Sequence, residues 1–390
     1  MPPELILKAG KDKPVKNYHH WIFSGAVKAL SDDATDGSIV QVFSSEREIL
    51  GSAYVNRASG ILGRMVAFGE GDPIETITDT IEKAVAFRQG LFDDKHTTAY
   101  RLVNAEGDRL PGLIVDRYGD YLAIQIATLG MEKLKPLVLE TLHRLFSIKG
   151  IYEKSSLPAR REEGLKDYEG PVVGNVPTTV EIKENGLTFL VDIAGGQKTG
   201  FFLDQREMRS LVRDYAKGRR LLNCFSYTGG FSVSALAGGA LRATSVDISE
   251  DATKLSDENA GRNAVDSRHQ SVTADLFEYL RESHPGDYDF IILDPPAFVK
   301  RKIDIVAGCR GYKDINRLAL KLLPERSYLL TSSCSYFVDE KLFQQVVFQA
   351  AREADRRVRI ISHHRQAPDH PINIYHPEGE YLKSLLLYVD

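Results

Sequence analysis

Cysteine is scarce in this chain of 390 residues, which contains Cys224, Cys309 and Cys334 and no C-x-x-C pair. Zinc ribbons and disulfide frameworks need cysteines that are paired at short spacing, so the sequence argues against both classes of domain. The same scarcity is typical of proteins from a reducing compartment. A thiol that stays free in such a compartment can act as a nucleophile.

Long apolar runs are also lacking. No stretch approaches the length of a transmembrane helix, and the first residues, Met-Pro-Pro-Glu-Leu, do not form the apolar core of a signal peptide. We therefore expect a cytoplasmic protein with no membrane partner. The formal net charge is -4, so a role in binding nucleic acid would require local basic patches rather than a global positive field.

The composition, with 43% hydrophobic and 27% charged residues, is that of a globular protein whose length exceeds one ordinary core. We predict a β-rich domain at 1–72 and a central α+β domain at 73–180. From 181 to 390, strands and helices alternate, which is typical of a doubly wound parallel sheet. The charged stretch 154–170 is expected to be a solvated loop.

The dinucleotide-binding pattern G-x-G-x-x-G is absent where it would be expected, in the stretch 221–247. This stretch predicts a buried strand, a turn with Gly229 and Gly230, a helix, and a second strand that ends at Asp247. A pyrophosphate needs the third glycine, which disfavours a nicotinamide dehydrogenase. A nucleoside ligand without phosphates, such as S-adenosylmethionine, needs only the turn and an acid for the ribose.

Three acids, Asp247, Asp275 and Asp294, follow three successive predicted strands. Helix capping would explain any one of them. Because the carboxyl ends of parallel strands meet at one edge of a sheet, three acids there indicate a ligand site. Asp247 suits the ribose hydroxyls and Asp275 the adenine amine, while Asp294 lies where a methyl donor and its acceptor must meet.

The segment Asp294-Pro295-Pro296-Ala297-Phe298 predicts a stiff loop, because two prolines fix the backbone and remove two donors. Phe298 offers a face on which a flipped base can stack. A rigid turn with a buried phenylalanine is the structural alternative.

Cys334, which follows a predicted strand within Thr-Ser-Ser-Cys-Ser-Tyr, distinguishes between methylation chemistries. Carbon 5 of a pyrimidine becomes nucleophilic enough to take a methyl group only after a thiolate adds to carbon 6. The alternative for any cysteine is a small buried apolar residue. That alternative fits Cys224, inside a strand, and Cys309 is expected to lie in a loop.

The first residues mix basic and aromatic side chains, among them Lys16 and Trp21, which suits contacts with RNA phosphates and bases. A solvated basic face beside a core tryptophan is the alternative.

Histidines also occur near the C-terminus without the spacing of a metal site, so no metal is expected. They are His363, His364, His370 and His376, with Asp369 nearby.

Several motifs carry a resemblance to a known family. Lys-Asn-Tyr-His-His-Trp-Ile-Phe-Ser-Gly-Ala-Val at 16–27 resembles the start of a PUA domain, a small β-barrel that binds RNA. Further along, Gln-Lys-Thr-Gly-Phe-Phe-Leu-Asp-Gln-Arg at 197–206, Asn-Cys-Phe-Ser-Tyr-Thr-Gly-Gly-Phe-Ser at 223–232, the 294–298 loop and Ser-Cys-Ser at 333–335 follow in order. Together they resemble the ribosomal large subunit methyltransferase I family, which makes 5-methylcytidine in 23S rRNA.

The resemblance implies a Rossmann-like, seven-stranded class I methyltransferase domain whose last hairpin inserts one antiparallel strand. A PUA domain and a central α+β domain precede it. Cys334 is the implied nucleophile, and Asp294 is implied to bind the N3/N4 edge of cytosine; Phe298, Lys16 and Trp21 are expected to contact RNA. The residues expected to bind S-adenosylmethionine are Gln197, Thr199, Phe201, Arg206, Asn223, Phe225, Ser226, Tyr227, Gly229, Asp247, Asp275 and Asp294.

The expected partner is 23S rRNA, as naked RNA or within an early assembly particle, and a homodimer is compatible with the sequence. Two alternatives stay open. The motif at 198–206 is shared with guanine-N7 methyltransferases, so the base could be guanine, with Cys334 as a structural residue. The chain could also be an RNA-binding assembly factor whose methyltransferase domain is inactive.

Overall fold

A computed structural model describes residues 2–390, which divide into two compact units. Unit 1 comprises residues 2–183, Val191–Leu203 and Pro368–Gly379, and unit 2 comprises Glu184–Leu190, Asp204–Ala367 and Glu380–Asp390. Over the described residues, no helix combines the length and the apolar character that crossing a membrane requires. The predicted boundaries at 72 and 180 stay a prediction.

Unit 1 begins with a six-stranded sheet in the order β2-β6-β5-β4-β1-β3. Strands β1 and β4 are parallel, and every other neighbouring pair is antiparallel. The strands are β1 (Glu4–Leu7), β2 (Trp21–Ile22), β3 (Val27–Leu30), β4 (Ile39–Phe43), β5 (Ile49–Val55) and β6 (Gly63–Phe68). Alternate residues of β1 and β4 are buried, as expected for strands with one face on a core.

A second sheet of unit 1 has five strands in the order β11-β10-β9-β8-β7. Its strands are β7 (Ala99–Asn104), β8 (Leu113–Tyr118), β9 (Tyr121–Ile126), β10 (Gly150–Ser155) and β11 (Tyr168–Gly174). The antiparallel run β7-β8-β9 forms a β-meander. The helices of unit 1 are α1 (Lys13–Lys16), α2 (Pro73–Leu91), α3 (Leu129–Lys133), α4 (Lys135–Leu145) and α5 (Pro158–Glu162).

Helix α2 shows how the local sequence determines where a helix begins and which of its faces is buried. Pro73 occupies its first turn, where the missing N–H is tolerated, and the Asp72 carboxylate accepts hydrogen bonds from the N–H groups of Ile74 and Glu75 at 2.8 and 3.0 Å. Ile77 and Ile81 lie one turn apart and are fully buried. The cap and the apolar stripe therefore place this helix on the core of unit 1.

The prediction of a solvated loop at 154–170 is wrong. The stretch contains the end of β10, helix α5 and the start of β11. Glu163 is buried and accepts a 2.7 Å hydrogen bond from Arg64, while Arg160 is buried and pairs with Glu132. A charged residue that is buried in an ion pair is easily predicted to be solvent-exposed, because its partner lies far away along the chain and the pairing is not visible in the local sequence.

A hairpin of β12 (Thr179–Glu184) and β13 (Leu187–Asp192) follows, as the Asn185-Gly186 turn predicts. Both turn residues have positive φ angles, of 50° and 81°. The chain passes between unit 1 and unit 2 within this hairpin.

Unit 2 is built on a seven-stranded sheet in the order β16-β15-β14-β17-β18-β20-β19. Its strands are β14 (Arg220–Cys224), β15 (Arg242–Asp247), β16 (His269–Thr273), β17 (Phe290–Leu293), β18 (Ser327–Ser333), β19 (Val358–His364) and β20 (Lys383–Val389). Strands β14 to β18 are mutually parallel. Strand β20 pairs antiparallel with both β18 and β19. The seven strands and the single inserted antiparallel strand are as predicted.

Helix α6 (Arg206–Tyr215) precedes the first strand of this sheet, and five helices connect its successive parallel strands. The connecting helices are α7 (Gly230–Ala237), α8 (Glu250–Arg262), α9 (Leu276–Glu282), α10 (Ile305–Leu322) and α11 (Glu340–Glu353). Cys309 lies in α10, so its predicted place in a loop is wrong. The core of unit 2 combines β17, β18 and β20 with the apolar faces of α10 and α11. In the sheet of unit 2, the strands that follow β14 in the chain are added first on one side of β14, as β15 and β16, and then on the other side, as β17 and β18. Such a switch point between β14 and β17 opens a crevice beyond the carboxyl ends of the strands.

Candidate active site

The carboxyl ends of the parallel strands in unit 2 bring several predicted site residues to one edge. Asp247 is the last residue of β15, Asp294 follows β17 directly, and Cys334 follows β18 directly. Asn223 lies near the end of β14, between β15 and β17. The edge therefore carries carboxylate, amide and thiol groups on neighbouring strands.

The turn between β14 and α7 has an unusual backbone. Phe225, Tyr227 and Gly229 have φ angles of 57°, 47° and 77°. A Cβ atom on Gly229 would overlap the side chain of Ser256 in α8, so glycine is required there by both conformation and space.

Asp247 holds this turn in place. Its carboxylate accepts hydrogen bonds from the backbone N–H of Tyr227 at 2.8 Å and from that of Ser249 at 3.0 Å. One N–H reaches each oxygen, so the carboxylate retains the capacity to accept further hydrogen bonds. Asp247 is half-buried, and the structure thus gives it a positioning role that is compatible with the predicted ribose contact.

The same turn contains buried polar atoms that lack hydrogen-bond partners within residues 2–390: Asn223 Oδ1, Ser226 Oγ and Thr228 Oγ1. The other end of the Asn223 amide donates to Ser232 Oγ at 3.1 Å. Leaving such groups unsatisfied costs about 1–3 kcal/mol each. A ligand that offers hydroxyl and amine groups would satisfy them, so this turn fits the polar surface of a nucleoside-containing donor.

Asp294 is held by a residue from the start of α6. The side-chain amide of Gln205 donates a 2.8 Å hydrogen bond to Asp294 Oδ1. Gln205 is buried, and its own Oε1 lacks a partner among the described residues. Sequence reasoning placed Gln205 in the motif at 197–206 but missed its contact with Asp294, which is 89 positions away.

Cys334 and the Asp294 loop lie next to each other. The Cys334 Sγ atom is 4.0 Å from the carbonyl oxygen of Pro295, and the thiol is half-buried. Ser335 Oγ accepts a 3.1 Å hydrogen bond from the N–H of Val299 and lies 2.9 Å from the hydroxyl of Tyr312. These contacts fix the loop after β18 against the loop after β17, and the role of Cys334 as nucleophile stays a prediction.

The other two thiols lie in different environments. Burial raises the pKa of Cys224 well above its ordinary value, which suits a structural residue inside β14. Burial also raises the pKa of the half-buried Cys309 in α10. Cys334, by contrast, lies in neither a strand nor a helix and directly follows the end of β18.

Phe298 is half-buried and packs on Tyr312, with ring centroids 4.6 Å apart and an interplanar angle of 37°. Its ring also lies edge-on to that of Phe225, at 6.5 Å. Gly311 in α10 allows the ring to approach closely. Its role as a stacking platform for a base stays a prediction.

Lys383 was missed by sequence reasoning. It begins β20, pairs with Ser333 at the end of β18, and is buried. Its Nζ donates 2.7 Å hydrogen bonds to the carbonyl oxygens of Ser335 and Tyr381. The sequence feature that could have drawn attention to it is a lysine at the start of a largely apolar strand, followed by Ser-Leu-Leu-Leu-Tyr-Val.

Arg206 and Asp275 have clear structural partners. Arg206 is fully buried 3.7 Å from the carboxylate of Glu184, which also pairs with Arg209 at 2.5 and 2.6 Å. Asp275 is exposed and caps α9 by accepting a 3.1 Å hydrogen bond from the N–H of Glu278. The predicted contacts of both residues with the methyl donor stay predictions.

Three further predicted donor-binding residues, Gln197, Thr199 and Phe201, belong to unit 1. Gln197 is exposed. Thr199 is buried and donates a 2.6 Å hydrogen bond to Asp116, and the N–H of Phe201 donates to the hydroxyl of Tyr118 at 3.2 Å. Strand β8 thus fixes this segment, whose role in binding the donor stays a prediction.

The predicted RNA-binding residues of unit 1 lie in partly exposed positions. Lys16 is 43% exposed at its side chain and forms ion pairs with Asp12 and Glu48. The indole N–H of Trp21 donates a 3.0 Å hydrogen bond to Glu106. These contacts order both side chains, and the RNA contacts stay predictions.

The C-terminal histidines do not form one group. His363 pairs with Glu340, and His370 with Asp369. His376 lies beside His19 and Glu378, with potential ligand atoms within 4.8 Å of one another. In this cluster His19 already hydrogen-bonds Glu378 at 3.4 Å, and its ring packs on that of His376. The expected absence of a metal stays a prediction.

Two family models match this chain. Residues 169–378 match the family model of S-adenosylmethionine-dependent methyltransferases, and residues 5–68 match that of a PUA-like domain. The order of the two matches is the one predicted from the motifs.

Curated relatives cover the whole chain. A protein named ribosomal RNA large subunit methyltransferase I from Cronobacter sakazakii is 40% identical over 100% of both chains. One of the same name from Aeromonas hydrophila is 41% identical over 99% of both chains.

Solved structures are similar over nearly the same length. A putative SAM-dependent methyltransferase from Streptococcus mutans has a TM-score of 0.83 and 26% identity, over 98% of this chain and 99% of that chain. A putative methyltransferase complexed with SAH has the same TM-score and coverage, with 25% identity. A tRNA m1G37 methyltransferase from M. jannaschii, with a TM-score of 0.52 and 17% identity over 87% of this chain and 91% of that chain, shares the fold alone.

Proposed function

We propose, starting from the fact that this chain belongs to the ribosomal RNA large subunit methyltransferase I family, that it forms 5-methylcytidine in 23S rRNA. Its donor is S-adenosylmethionine, as predicted, and its fold is a PUA-like domain followed by a methyltransferase domain. The observation that carries the choice of cytosine is the position of Cys334 beside the Asp294 loop.

In this proposal the donor binds at the turn between β14 and α7, where buried polar atoms lack hydrogen-bond partners among the described residues. Asn223, Ser226 and Thr228 would face its polar groups, and Asp247 would accept hydrogen bonds from the ribose. Gly229 allows the backbone to approach. When bound, S-adenosylmethionine supplies an electrophilic methyl group.

Cys334 supplies the activation that carbon 5 needs. Its thiolate adds to carbon 6 of cytosine, a carbon–sulfur bond forms, and the electron pair of the 5,6 double bond makes carbon 5 nucleophilic. After carbon 5 is methylated, its proton leaves, the 5,6 double bond re-forms, and the carbon–sulfur bond breaks with its electron pair on sulfur. A guanine or exocyclic amine acceptor would not require this thiol.

Asp294 orients the base in this proposal. Its carboxylate can accept a hydrogen bond from the N4 amine of cytosine, which is a common readout of that base. Gln205 fixes the carboxylate through the 2.8 Å hydrogen bond. A carboxylate also matches the donors on guanine, so Asp294 supports the base-binding role, while Cys334 carries the choice of cytosine.

The RNA substrate requires contacts outside this edge. Phe298 would stack on the flipped cytosine, and Lys16 and Trp21 of the PUA-like domain would contact other parts of the RNA. The substrate would be naked 23S rRNA or an early assembly particle, and the enzyme would act alone or as a homodimer. An RNA-binding factor with an inactive methyltransferase domain is disfavoured, because such a factor has no need for Cys334 beside Asp294.

RNA that carries 5-fluorocytosine at the target position tests the thiol step. Fluorine cannot leave carbon 5 as a cation, so the sulfur cannot be eliminated, and a covalent protein–RNA adduct should accumulate in the presence of the methyl donor. Denaturing gels and mass spectrometry should place the adduct on Cys334. The Cys334→Ala protein is the matched control and should form none. Turnover on ordinary RNA without any adduct on the fluorinated RNA would remove the thiolate step.

A further inference from the structure

Lys383 lies at the base of the loop that carries Cys334. It pairs with Ser333, the residue before the cysteine, and its Nζ donates to the carbonyl oxygen of Ser335, the residue after it. A second carbonyl, that of Tyr381, also accepts from Nζ at 2.7 Å. The Lys383 backbone is therefore paired with the residue before the cysteine, and the amine is fixed to the backbone of the residue after it.

These two hydrogen bonds leave one position on the nitrogen. A neutral amine has two N–H bonds and one lone pair, and an ammonium has three N–H bonds. With two N–H bonds directed at the carbonyls of Ser335 and Tyr381, the remaining position is a lone pair in the neutral form and a donor in the charged form. This position can accept a proton and return it.

The surroundings of Lys383 suit proton exchange near neutral pH. Burial lowers the pKa of Lys383 to about 8, although the negative charges that Cys334, Glu380 and Asp339 can carry act in the opposite direction. Tyr312 also lies close to this loop, and burial raises its pKa, so its hydroxyl stays protonated. The amine is thus the basic group among these neighbours.

We propose that Lys383 accepts the proton of the Cys334 thiol and then stabilises the thiolate as an ammonium ion. The S–H bond breaks, its electron pair stays on sulfur, and the proton forms a third N–H bond on Nζ. When sulfur leaves the base at the end of the reaction, the ion pair is restored. This assignment rests on the proposed cysteine mechanism and leaves the acceptor of the carbon 5 proton open.

The pH dependence of alkylation measures this pairing without any RNA. Iodoacetamide reacts with the thiolate, and mass spectrometry separates Cys334 from Cys224 and Cys309. In Lys383→Met, alkylation of Cys334 at about pH 7 should fall about tenfold, corresponding to one pH unit in thiolate formation. The deficit should disappear as the pH rises toward about 9, where an ordinary thiol ionises. Lys321→Met, at an exposed lysine of α10, is the matched control and should alkylate as the wild type does.

Methyl transfer should follow the same pattern: Lys383→Met should lose about tenfold in rate at about pH 7 and recover at higher pH, with unchanged affinity for the donor. A purely structural role of Lys383 would lower the rate at every pH. Alkylation of Cys334 in Lys383→Met that overlays the wild-type profile would overturn the proposal, even if the fluorinated RNA still formed its adduct. Conversely, the wild type could form no adduct with the fluorinated RNA while Lys383→Met still shows slower alkylation of Cys334. That result would reject the cysteine mechanism and keep the Lys383–Cys334 pair.

A second measurement covers the case in which Lys383→Met does not fold. In the wild type with ¹³C-labelled lysine, one Cε resonance should titrate near pH 8. That titration should move when Cys334 is replaced by alanine, because the partner charge is then absent. A titration that Cys334→Ala leaves unchanged would overturn the pairing.

Discussion

Replacing Cys334 by alanine is expected to lower 5-methylcytidine formation by at least about a thousandfold, since removing a catalytic nucleophile typically costs that much or more. The physical reason is that carbon 5 of cytosine is not nucleophilic until sulfur has added to carbon 6. The thiol is half-buried beside the carbonyl of Pro295, so its loss should leave the fold and donor binding intact. Initial rates with labelled donor and unmethylated rRNA measure the effect.

Cys309→Ala is the matched control, because it removes a half-buried thiol from the same unit at a position within α10. It should retain the wild-type rate within about threefold and shift the free energy of unfolding by about 1 kcal/mol. A Cys334→Ala protein with a rate as high as that of this control would contradict the cysteine mechanism and favour methylation of another base.

Replacing Asp294 by asparagine should lower kcat by about a hundredfold, a loss comparable to that of one preorganised hydrogen-bonding group in other active sites. Asparagine is nearly the same size but carries no charge, so it would hold the cytosine amine and the neighbouring Gln205 amide less firmly. The protein should still fold and bind RNA. Single-turnover rates and KM for RNA separate the loss in chemistry from any loss in binding.

The control for this change is Asp304→Asn, which removes a carboxylate that pairs with Arg301 at the surface. Exposed pairs of this kind contribute little to stability, so activity and unfolding should both stay close to wild type. Equal kcat values for the two variants would show that Asp294 is not needed for the chemistry.

Local sequence was sufficient to predict much of the fold. The glycine turn at Gly229 and the Asn185-Gly186 hairpin depend on backbone conformation within a few residues, whereas the antiparallel strand ending at Val389 was implied by the family resemblance. The strand-end positions of Asp247 and Cys334 follow from the same patterns, because a parallel sheet brings the ends of its strands together.

The residues that sequence reasoning missed depend on contacts between distant parts of the chain. Gln205 reaches Asp294 across 89 positions, and Lys383 reaches Ser335 across 48. Both side chains are buried, and each donates a hydrogen bond to a loop that directly follows a strand of the sheet in unit 2. The misjudged stretch 154–170 has the same cause, since its buried charges depend on ion pairs with distant residues.

The most direct test of the cytosine assignment identifies the product itself. The enzyme is incubated with labelled S-adenosylmethionine and 23S rRNA from cells that lack this modification, the RNA is digested to nucleosides, and the labelled nucleoside is identified by chromatography and mass spectrometry. We predict 5-methylcytidine in the reaction of the wild type and its absence in that of Cys334→Ala. A labelled methylguanosine, or 5-methylcytidine formed at an undiminished rate by Cys334→Ala, would contradict the account.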